Sequence, residues 1–258
     1  MILIQSTGSK FALLTAACAL IGGAFGVTPS YAADKTSFTE AQKAELEDFV
    51  RDFIMNNPEV LIDSVNKMRE NQQKAQEEDA QKSIEKYKEH LFEDKLIPEI
   101  GNPKGDITVV EFFDFNCGYC KRAFDTVNEA VQNDKNLRVR FIDLPILSPQ
   151  SETAAKWAMA ANKQGKYWEF HSALMKNPAP KTEETLTEIS NDLGLDLARM
   201  KKDAEGEDVK KELEKNREVA NALAITGTPG FVIGKQIIRG YAEYEAFKAI
   251  IEDERKAK

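Results

Sequence analysis

Residues that bind transition metals are scarce in this sequence: its 258 residues include two histidines and three cysteines. A structural zinc site takes four ligands, usually supplied by closely spaced pairs. His90 and His171 are widely separated, and only Cys117 and Cys120 form a close cysteine pair. We therefore predict no metal site and no cofactor.

Positive charge is also in deficit, with 35 lysine and arginine residues against 43 aspartate and glutamate residues. The formal net charge is -8, and the basic residues are scattered among acidic ones along the predicted helices. A chain of this kind lacks the basic surface that attracts a phosphate backbone. We therefore predict no nucleic-acid partner.

Long hydrophobic runs are limited to one segment, Phe11–Val27, which follows Lys10. Three glycines interrupt this run, which is already at the short end of the roughly 20 apolar residues that a membrane span needs. Ser30-Tyr31-Ala32 then supplies a small-x-Ala cleavage pattern. We predict that residues 1–32 are a signal peptide cleaved near Ala32, and that the protein is exported to the periplasm.

Residues 33–95 are predicted to form a helical stalk. Thr39 and Gln42 fit a capping box, and a second helix is predicted from Pro58 to about His90. The apolar residues recur at helical spacing, and they are Leu46, Phe49, Val50, Phe53 and Ile54, followed by Leu61, Ile62, Val65 and Met68. Such residues favour association between copies of the chain. A charged, solvated helix is the alternative interpretation.

Residues 96–258 have the pattern of an α/β domain. The strands are predicted at Ile107–Phe113 and Arg138–Ile142, and the hairpin Phe231–Val232–Ile233 and Gln236–Ile237–Ile238 turns at Gly234-Lys235. Between the second strand and the hairpin, residues of about 148–223 read as several helices. This order predicts a mixed sheet with an inserted helical subdomain.

Cys117 and Cys120 follow the first predicted strand directly, where a helix is predicted to begin. Free N–H groups and the helix dipole at such a position stabilise a thiolate, and the second cysteine, one turn later, can resolve a mixed disulfide. A bridge between them would close too small a loop to stabilise the fold much. A cysteine-histidine hydrolase would need a nearby base, and His171 lies among large apolar residues typical of a packed histidine.

Two further features accompany the cysteine pair. The Thr228-Pro229 dipeptide precedes the hairpin, where a cis proline beside the reactive pair and an ordinary turn proline are both possible. Glu111 interrupts an apolar strand. Its carboxyl group either lies beneath the cysteines and moves a proton, or is exposed at a sheet edge.

The segments "VVEFFDFNCGYC" and "GTPGF", with the helical insertion between them, resemble the DsbA-like thioredoxin-fold disulfide oxidoreductases over residues 96–255. The resemblance implies a thioredoxin fold in which Cys117 is the nucleophile, Cys120 the resolving cysteine and Glu111 the buried acid. It also implies that the cis-proline loop, Thr228 and Pro229, binds the substrate backbone.

The best-known oxidases of this family carry proline and histidine between the cysteines, whereas this chain carries Gly118 and Tyr119, which we also expect to contact substrate. With the N-terminal helices and "IGNPKGD", this motif is most similar to the copper-sensitivity suppressor (ScsC) branch. Members of that branch can trimerise through the extension and shuffle disulfides. The resemblance therefore implies a homo-oligomer, with a trimer favoured.

The leading hypothesis is a periplasmic protein disulfide isomerase or reductase that acts on misfolded or reduced secreted proteins and is kept reduced by a membrane thiol reductant. One alternative is a monomeric dithiol oxidase, re-oxidised by a quinone-linked membrane partner. Another is a copper-binding thioredoxin-fold chaperone that uses the two thiolates as Cu(I) ligands.

Overall fold

The protein is represented by a computed structural model, which describes residues 38–257. The predicted signal peptide, residues 1–32, lies outside the described residues. The chain divides into two compact units, with the boundary between Val60 and Leu61. None of the helices in the described part of the chain combines the length and hydropathy needed to cross a membrane.

The first unit contains one described helix, α1, which spans Glu40–Asn56. The predicted capping box is confirmed: the Thr39 hydroxyl accepts the backbone N–H of Gln42, and the Gln42 side chain accepts the backbone N–H of Thr39. No residue of α1 is buried. Its exposed large apolar residues include Leu46, Phe49, Val50 and Phe53.

α2, Glu59–Lys86, starts two residues before this boundary, and the short helix α3, Lys88–Phe92, follows it in the second unit. The prediction of one helix from Pro58 to about His90 was wrong, because the chain leaves helical geometry at Tyr87, where φ is -104° and ψ is 17°. The Tyr87 ring is buried, and its hydroxyl donates a hydrogen bond to Glu218 at 2.7 Å. The break therefore coincides with the docking of this region onto the core of the second unit.

The second unit is built on a five-stranded mixed sheet in the order β1-β3-β2-β4-β5. The strands are β1 (Glu99–Gly101), β2 (Ile107–Phe113), β3 (Leu137–Asp143), β4 (Gly230–Ile233) and β5 (Gln236–Arg239). β2 and β3 are parallel and the other pairs antiparallel, which confirms the predicted crossover and hairpin. Sequence analysis missed β1, since three residues are too few to show a periodic pattern.

The helices of the second unit also follow the predicted order. α4 (Gly118–Asn133) connects β2 to β3, and α10 (Tyr244–Lys256) follows β5. Five helices lie between β3 and β4, namely α5 (Pro149–Asn162), α6 (Tyr167–Lys176), α7 (Glu183–Asp192), α8 (Leu197–Ala204) and α9 (Glu207–Ala222). The expectation of a mixed sheet with an inserted helical subdomain is confirmed.

Two apolar clusters cover the two faces of the sheet. Alternate residues of β2 point to opposite faces, so Val109 and Phe113 join one cluster and Val110 and Phe112 the other. The first cluster includes residues of α4, α5, α6 and α10, and both cysteines belong to it. The second includes residues of α2, α3 and α9, so these helices pack on the face opposite the cysteines.

The segment between β2 and α4 is held by a buried carboxylate. Asp114 accepts backbone N–H groups from Asn116 at 2.8 Å, Ile146 at 2.9 Å and Leu147 at 3.0 Å. The Asn116 amide donates to the hydroxyl groups of Ser148 at 3.2 Å and Ser151 at 3.0 Å. These bonds fix the residues immediately before Cys117 against the start of α5.

Replacing Asp114 with alanine is expected to lower the free energy of unfolding by about 3 kcal/mol, because three backbone N–H groups lose a charged acceptor. Denaturant unfolding followed by circular dichroism measures this change. Asp125→Ala is the matched control, since Asp125 is an exposed carboxylate on α4. The control should change stability by less than about 0.5 kcal/mol, and equal losses in both variants would contradict the role assigned to Asp114.

Candidate functional site

Cys117 is the N-cap residue of α4. Its backbone is extended, and its sulfur accepts the backbone N–H of Cys120 at 3.4 Å. The predicted helix start at the cysteine pair is therefore confirmed. At this position the free N–H groups of the first turn and the positive end of the helix dipole both favour negative charge on the Cys117 sulfur.

The loop before β4 brings Thr228 to the same sulfur. The Cys117 sulfur lies 3.2 Å from the Thr228 carbonyl oxygen, to which Cys117 donates a hydrogen bond when it is protonated. The Thr228-Pro229 peptide bond is cis, as the family resemblance implied. Two segments that are far apart in sequence, the start of α4 and the loop before β4, thus meet at the Cys117 sulfur.

The two cysteines have opposite electrostatic environments, although both are free thiols buried from solvent. The hydrogen bond from the Cys120 side chain, with further ones from the backbone of Cys120 and Tyr119, lowers the pKa of Cys117 to about 5. Burial raises the pKa of Cys120, and the hydrogen bond to Cys117 acts in the same direction. At neutral pH Cys117 is therefore a thiolate and Cys120 a thiol.

Glu111 is the candidate acid-base partner of the two cysteines. It lies on the central strand β2, between β3 and β4, and is 2% exposed, so the edge-strand alternative is wrong. Burial raises the pKa of Glu111 to about 8, and the charge of Cys117 adds to the effect. Glu111 Oε1 has no hydrogen-bond partner within the described residues. Such a group is protonated at neutral pH and can exchange a proton close to that pH.

Gly118 and Tyr119 open the first turn of α4 toward solvent. A side chain at Gly118 would meet no atom within 4 Å, and Tyr119 is 59% exposed. The Arg122 guanidinium lies over the rings of Tyr119 at 5.6 Å and Tyr241 at 4.4 Å, and it pairs with Glu243 at 3.0 Å. This cluster holds Tyr119 beside the cysteine pair.

Two exposed apolar residues lie on the other side of the same loop. Ile146 and Leu147 are bound through their N–H groups to Asp114, three residues before Cys117, while their side chains remain 41% and 54% exposed. Tyr119, Ile146 and Leu147 are thus exposed apolar residues on the segments that flank or contact the loop before Cys117.

His171 is a packed histidine and not a catalytic base. Its ring contacts six aromatic rings, those of Phe113, Phe115, Phe124, Phe141, Tyr167 and Trp168. Burial lowers the pKa of His171 to about 3, so the imidazole stays neutral. This environment gives no support to a cysteine-histidine hydrolase.

The structure brings together four of the residues predicted for the site, since Cys117 contacts both Cys120 and Thr228 and both cysteines interact electrostatically with Glu111. Sequence analysis missed Asp114 and the cluster of Arg122, Tyr241 and Glu243. The spacing of Tyr119 and Arg122 on one helix could have suggested their contact. No local sequence pattern connects Tyr119 or Arg122 to Tyr241 and Glu243, which lie in the loop after β5.

Two protein families match the chain. Residues 108–252 match the DSBA-like thioredoxin domain, and residues 42–75 match the copper resistance protein ScsC N-terminal domain. The second match covers most of α1 and more than half of α2. These matches, with the mixed sheet described above, confirm the predicted thioredoxin-type fold and the resemblance on which it rested.

Individual relatives and solved structures are also similar to this chain. A thioredoxin-like oxidoreductase from Silicibacter pomeroyi DSS-3 is 38% identical, with a TM-score of 0.64 over 66% of this chain and 98% of that structure. Disulfide bond formation protein D of Bacillus subtilis is 26% identical over 62% of this chain and 78% of its own length. Na(+)/H(+) antiporter NhaA 1 of Salinispora arenicola is 29% identical, but the 58% of this chain that matches spans only 24% of that protein.

Glu111→Gln is expected to remove a pH dependence of stability. The pKa of Glu111 rises from 4.5 to about 8 in the folded state, so between these values the folded protein holds a proton that the unfolded chain has lost. The protonated carboxyl group therefore contributes its full stabilisation of the folded state below the pKa that Glu111 has in the unfolded chain. This stabilisation is lost as pH rises through the pKa that Glu111 has in the folded protein. The free energy of unfolding falls by up to about 1.4 kcal/mol per pH unit in that window.

Denaturant unfolding of both proteins in reducing buffer, at several values between about pH 5 and pH 8, measures this effect. The stability of Glu111→Gln relative to the unmodified protein should increase steadily with pH. Cys117 contributes with the opposite sign because its folded pKa is lowered, but it is present in both proteins and its contribution largely cancels. A difference that does not change with pH would contradict the burial of an un-ionised Glu111.

Proposed function

The chain belongs to the DSBA-like thioredoxin domain family of thiol-disulfide oxidoreductases, and we propose that it is a periplasmic protein disulfide isomerase or reductase that works as an oligomer. The observation that carries this proposal is the Cys117 thiolate at the start of α4, flanked by a buried Cys120 thiol and by exposed apolar side chains.

The thiolate begins the reaction. The Cys117 sulfur attacks one sulfur of a client disulfide, which forms a mixed disulfide and releases the other client sulfur as a thiolate. That client thiolate can then attack a different disulfide of the same client, and a client thiolate finally displaces Cys117. The client's bonds are rearranged, and the protein returns to its dithiol form with no net oxidation.

Cys120 provides the route out of a mixed disulfide that fails to rearrange. Its sulfur attacks Cys117, which forms the Cys117–Cys120 disulfide and releases the client as a dithiol. Cys120 must first lose its proton, and Glu111 is the buried group placed to accept it once it has ionised. A membrane thiol reductant must then restore the dithiol, since this branch oxidises the protein.

Cys117 is less acidic than the corresponding cysteine of the strongest oxidant in this fold class, which favours isomerase or reductase activity over strong oxidase activity. A lowered pKa stabilises the reduced form and makes the disulfide more oxidising. The pKa of Cys117 is about 5, which lies between the values of roughly 7 for thioredoxin and 3.5 for DsbA. The reduced form is therefore stabilised less than in the strongest oxidant of that series.

The N-terminal helices supply the proposed means of association. On α1, Phe49 is 66% exposed, and its ring stacks on that of Phe53 at a centroid distance of 6.4 Å. On α2, Leu61 and Ile62 are likewise exposed. The exposure of large apolar side chains to water is unfavourable, and burial against a second copy of the chain would remove this unfavourable exposure. An oligomer, for which a trimer is favoured, would also place several Cys117 thiolates around one client.

The roles of the two cysteines can be separated by trapping. Cys117→Ser should abolish disulfide exchange, because it removes the nucleophile. Cys120→Ser should instead accumulate mixed disulfides with reduced or misfolded client proteins, because no second thiol resolves them. Non-reducing gel electrophoresis after incubation with a scrambled disulfide protein measures the trapped complexes. Equal trapping by the two variants would overturn these roles.

Self-association is expected to depend on the apolar face of α1. The full chain with Phe49→Glu and Phe53→Glu should become monomeric at micromolar concentration by light scattering. It should also lose most of its ability to reactivate a scrambled protein, while Cys117 remains reactive to alkylation. The reason is that two buried charges would replace the aromatic pair at the interface.

Arg51→Glu is the matched control. It produces the same change in net charge, but Arg51 lies about 200° around the helix from each phenylalanine. This control should keep the oligomer and the isomerase activity. An unmodified protein that is already monomeric, or that oxidises reduced clients without rescuing scrambled ones, would favour the monomeric dithiol oxidase.

A further inference from the structure

Three potential metal ligands meet on the face of the sheet opposite the cysteines. His90 lies on α3, Asp94 follows that helix, and Glu212 lies on α9. His90 Nδ1 is 3.4 Å from Asp94 Oδ2 and 3.9 Å from Glu212 Oε1, and the three ligand atoms all lie within 4.8 Å of one another. His90 and Glu212 are only 7% and 8% exposed.

The orientation of His90 is set by a buried amide. Asn216 donates its side-chain N–H to the Asp143 carbonyl oxygen at 3.1 Å, so its Oδ1 is the atom that faces His90 Nε2 at 3.0 Å. An amide oxygen only accepts, and Nε2 must therefore carry the proton in this arrangement. The lone pair of a neutral His90 then lies on Nδ1, toward the two carboxylates. Metal-binding histidines are commonly fixed by such a second hydrogen bond.

The cluster is rich in acceptors and poor in donors. With the proton on Nε2, the Nδ1 atom of His90 faces Asp94 and Glu212. Glu212 Oε1 is buried and has no hydrogen-bond partner within the described residues. The nearby Lys215 amine is paired instead with Glu218 at 3.1 Å. Three potential ligand atoms thus face one another, and a bound cation would satisfy all three at once.

We propose that His90, Asp94 and Glu212 bind a first-row transition-metal dication of the Zn²⁺ type, with a remaining position open to water. Bonds of about 2.0–2.2 Å in a tetrahedral zinc site place neighbouring ligand atoms about 3.3–3.6 Å apart. The distances from Nδ1 are close to this range, so small side-chain movements complete the site. An imidazole nitrogen with two carboxylates suits such an ion better than Ca²⁺ or Mg²⁺, which prefer oxygen ligands alone.

The position of this site indicates a structural role for the metal ion. α3 and α9 are separated by more than half of the second unit in sequence, and a bound ion would join them at the edge of the second apolar cluster. The spacing of His90 and Asp94 is visible in the sequence, but Glu212 reaches them only through the packing of α9. This explains why sequence analysis predicted no metal site.

Calorimetric titration with Zn²⁺ tests the proposal on the full chain carrying Cys117→Ser and Cys120→Ser, which removes the thiols as competing ligands. One ion should bind per chain. Adding Glu212→Gln or Asp94→Asn, which preserve side-chain shape, should weaken binding by about 10-fold or more. Glu214→Gln is the matched control, because it removes an exposed carboxylate from the same helix, and it should leave the affinity unchanged.

A second measurement needs no change to the three ligands. The sequence has only two histidines, so ¹⁵N spectra of the imidazole nitrogens are simple to assign. Zn²⁺ should shift the Nδ1 signal of His90, while that of the enclosed His171 should not move. The proposal is overturned if the thiol-free chain shows no saturable binding, if His90 Nδ1 is unaffected, or if Glu212→Gln binds as tightly as its parent.

Discussion

The hydrogen bonds that the first turn of α4 donates to the Cys117 sulfur connect the chemistry of this protein to its fold. They act only if α4 begins at Cys117, and that start depends on the loop in which Asp114 binds three backbone N–H groups. The loop is positioned in turn by β2, the central strand of the sheet. A thiolate in an otherwise buried position is thus stabilised by the Cys120 thiol and by backbone groups that the fold has already oriented.

Burial then separates the two thiols and supplies the acid-base partner. Cys120 lies one turn into α4 and faces the apolar cluster, where ionisation is costly. Cys117 instead receives hydrogen bonds from the Cys120 side chain and from N–H groups at the helix end. Glu111 is buried on the same side of β2, which keeps it un-ionised at neutral pH. One residue of each kind is therefore available: a nucleophile, a protonated thiol and a carboxyl group that can exchange a proton.

The two faces of the sheet carry different arrangements. The face with the cysteines is covered by α4, α10 and part of the helical insertion, and it leaves Tyr119 exposed at the site. The opposite face is covered by α2, α3 and α9, where His90, Asp94 and Glu212 meet. The large apolar residues of α1 belong to neither cluster and remain exposed.

The sequence by itself determined the local features of this protein. The capping box at Thr39, strands β2 and β3, the helix start at Cys117 and the hairpin at Gly234-Lys235 all follow from short-range patterns and are present in the structure. Only the tertiary structure decided which distant groups meet: the Thr228 carbonyl at the Cys117 sulfur, and Glu212 at His90. It also decided the break at Tyr87, where docking of the side chain overrides a helical sequence. The physical reason is that spacing along a chain encodes one helix face or one strand face, whereas contacts between elements, and the pKa values that depend on burial, arise only after those faces have packed together.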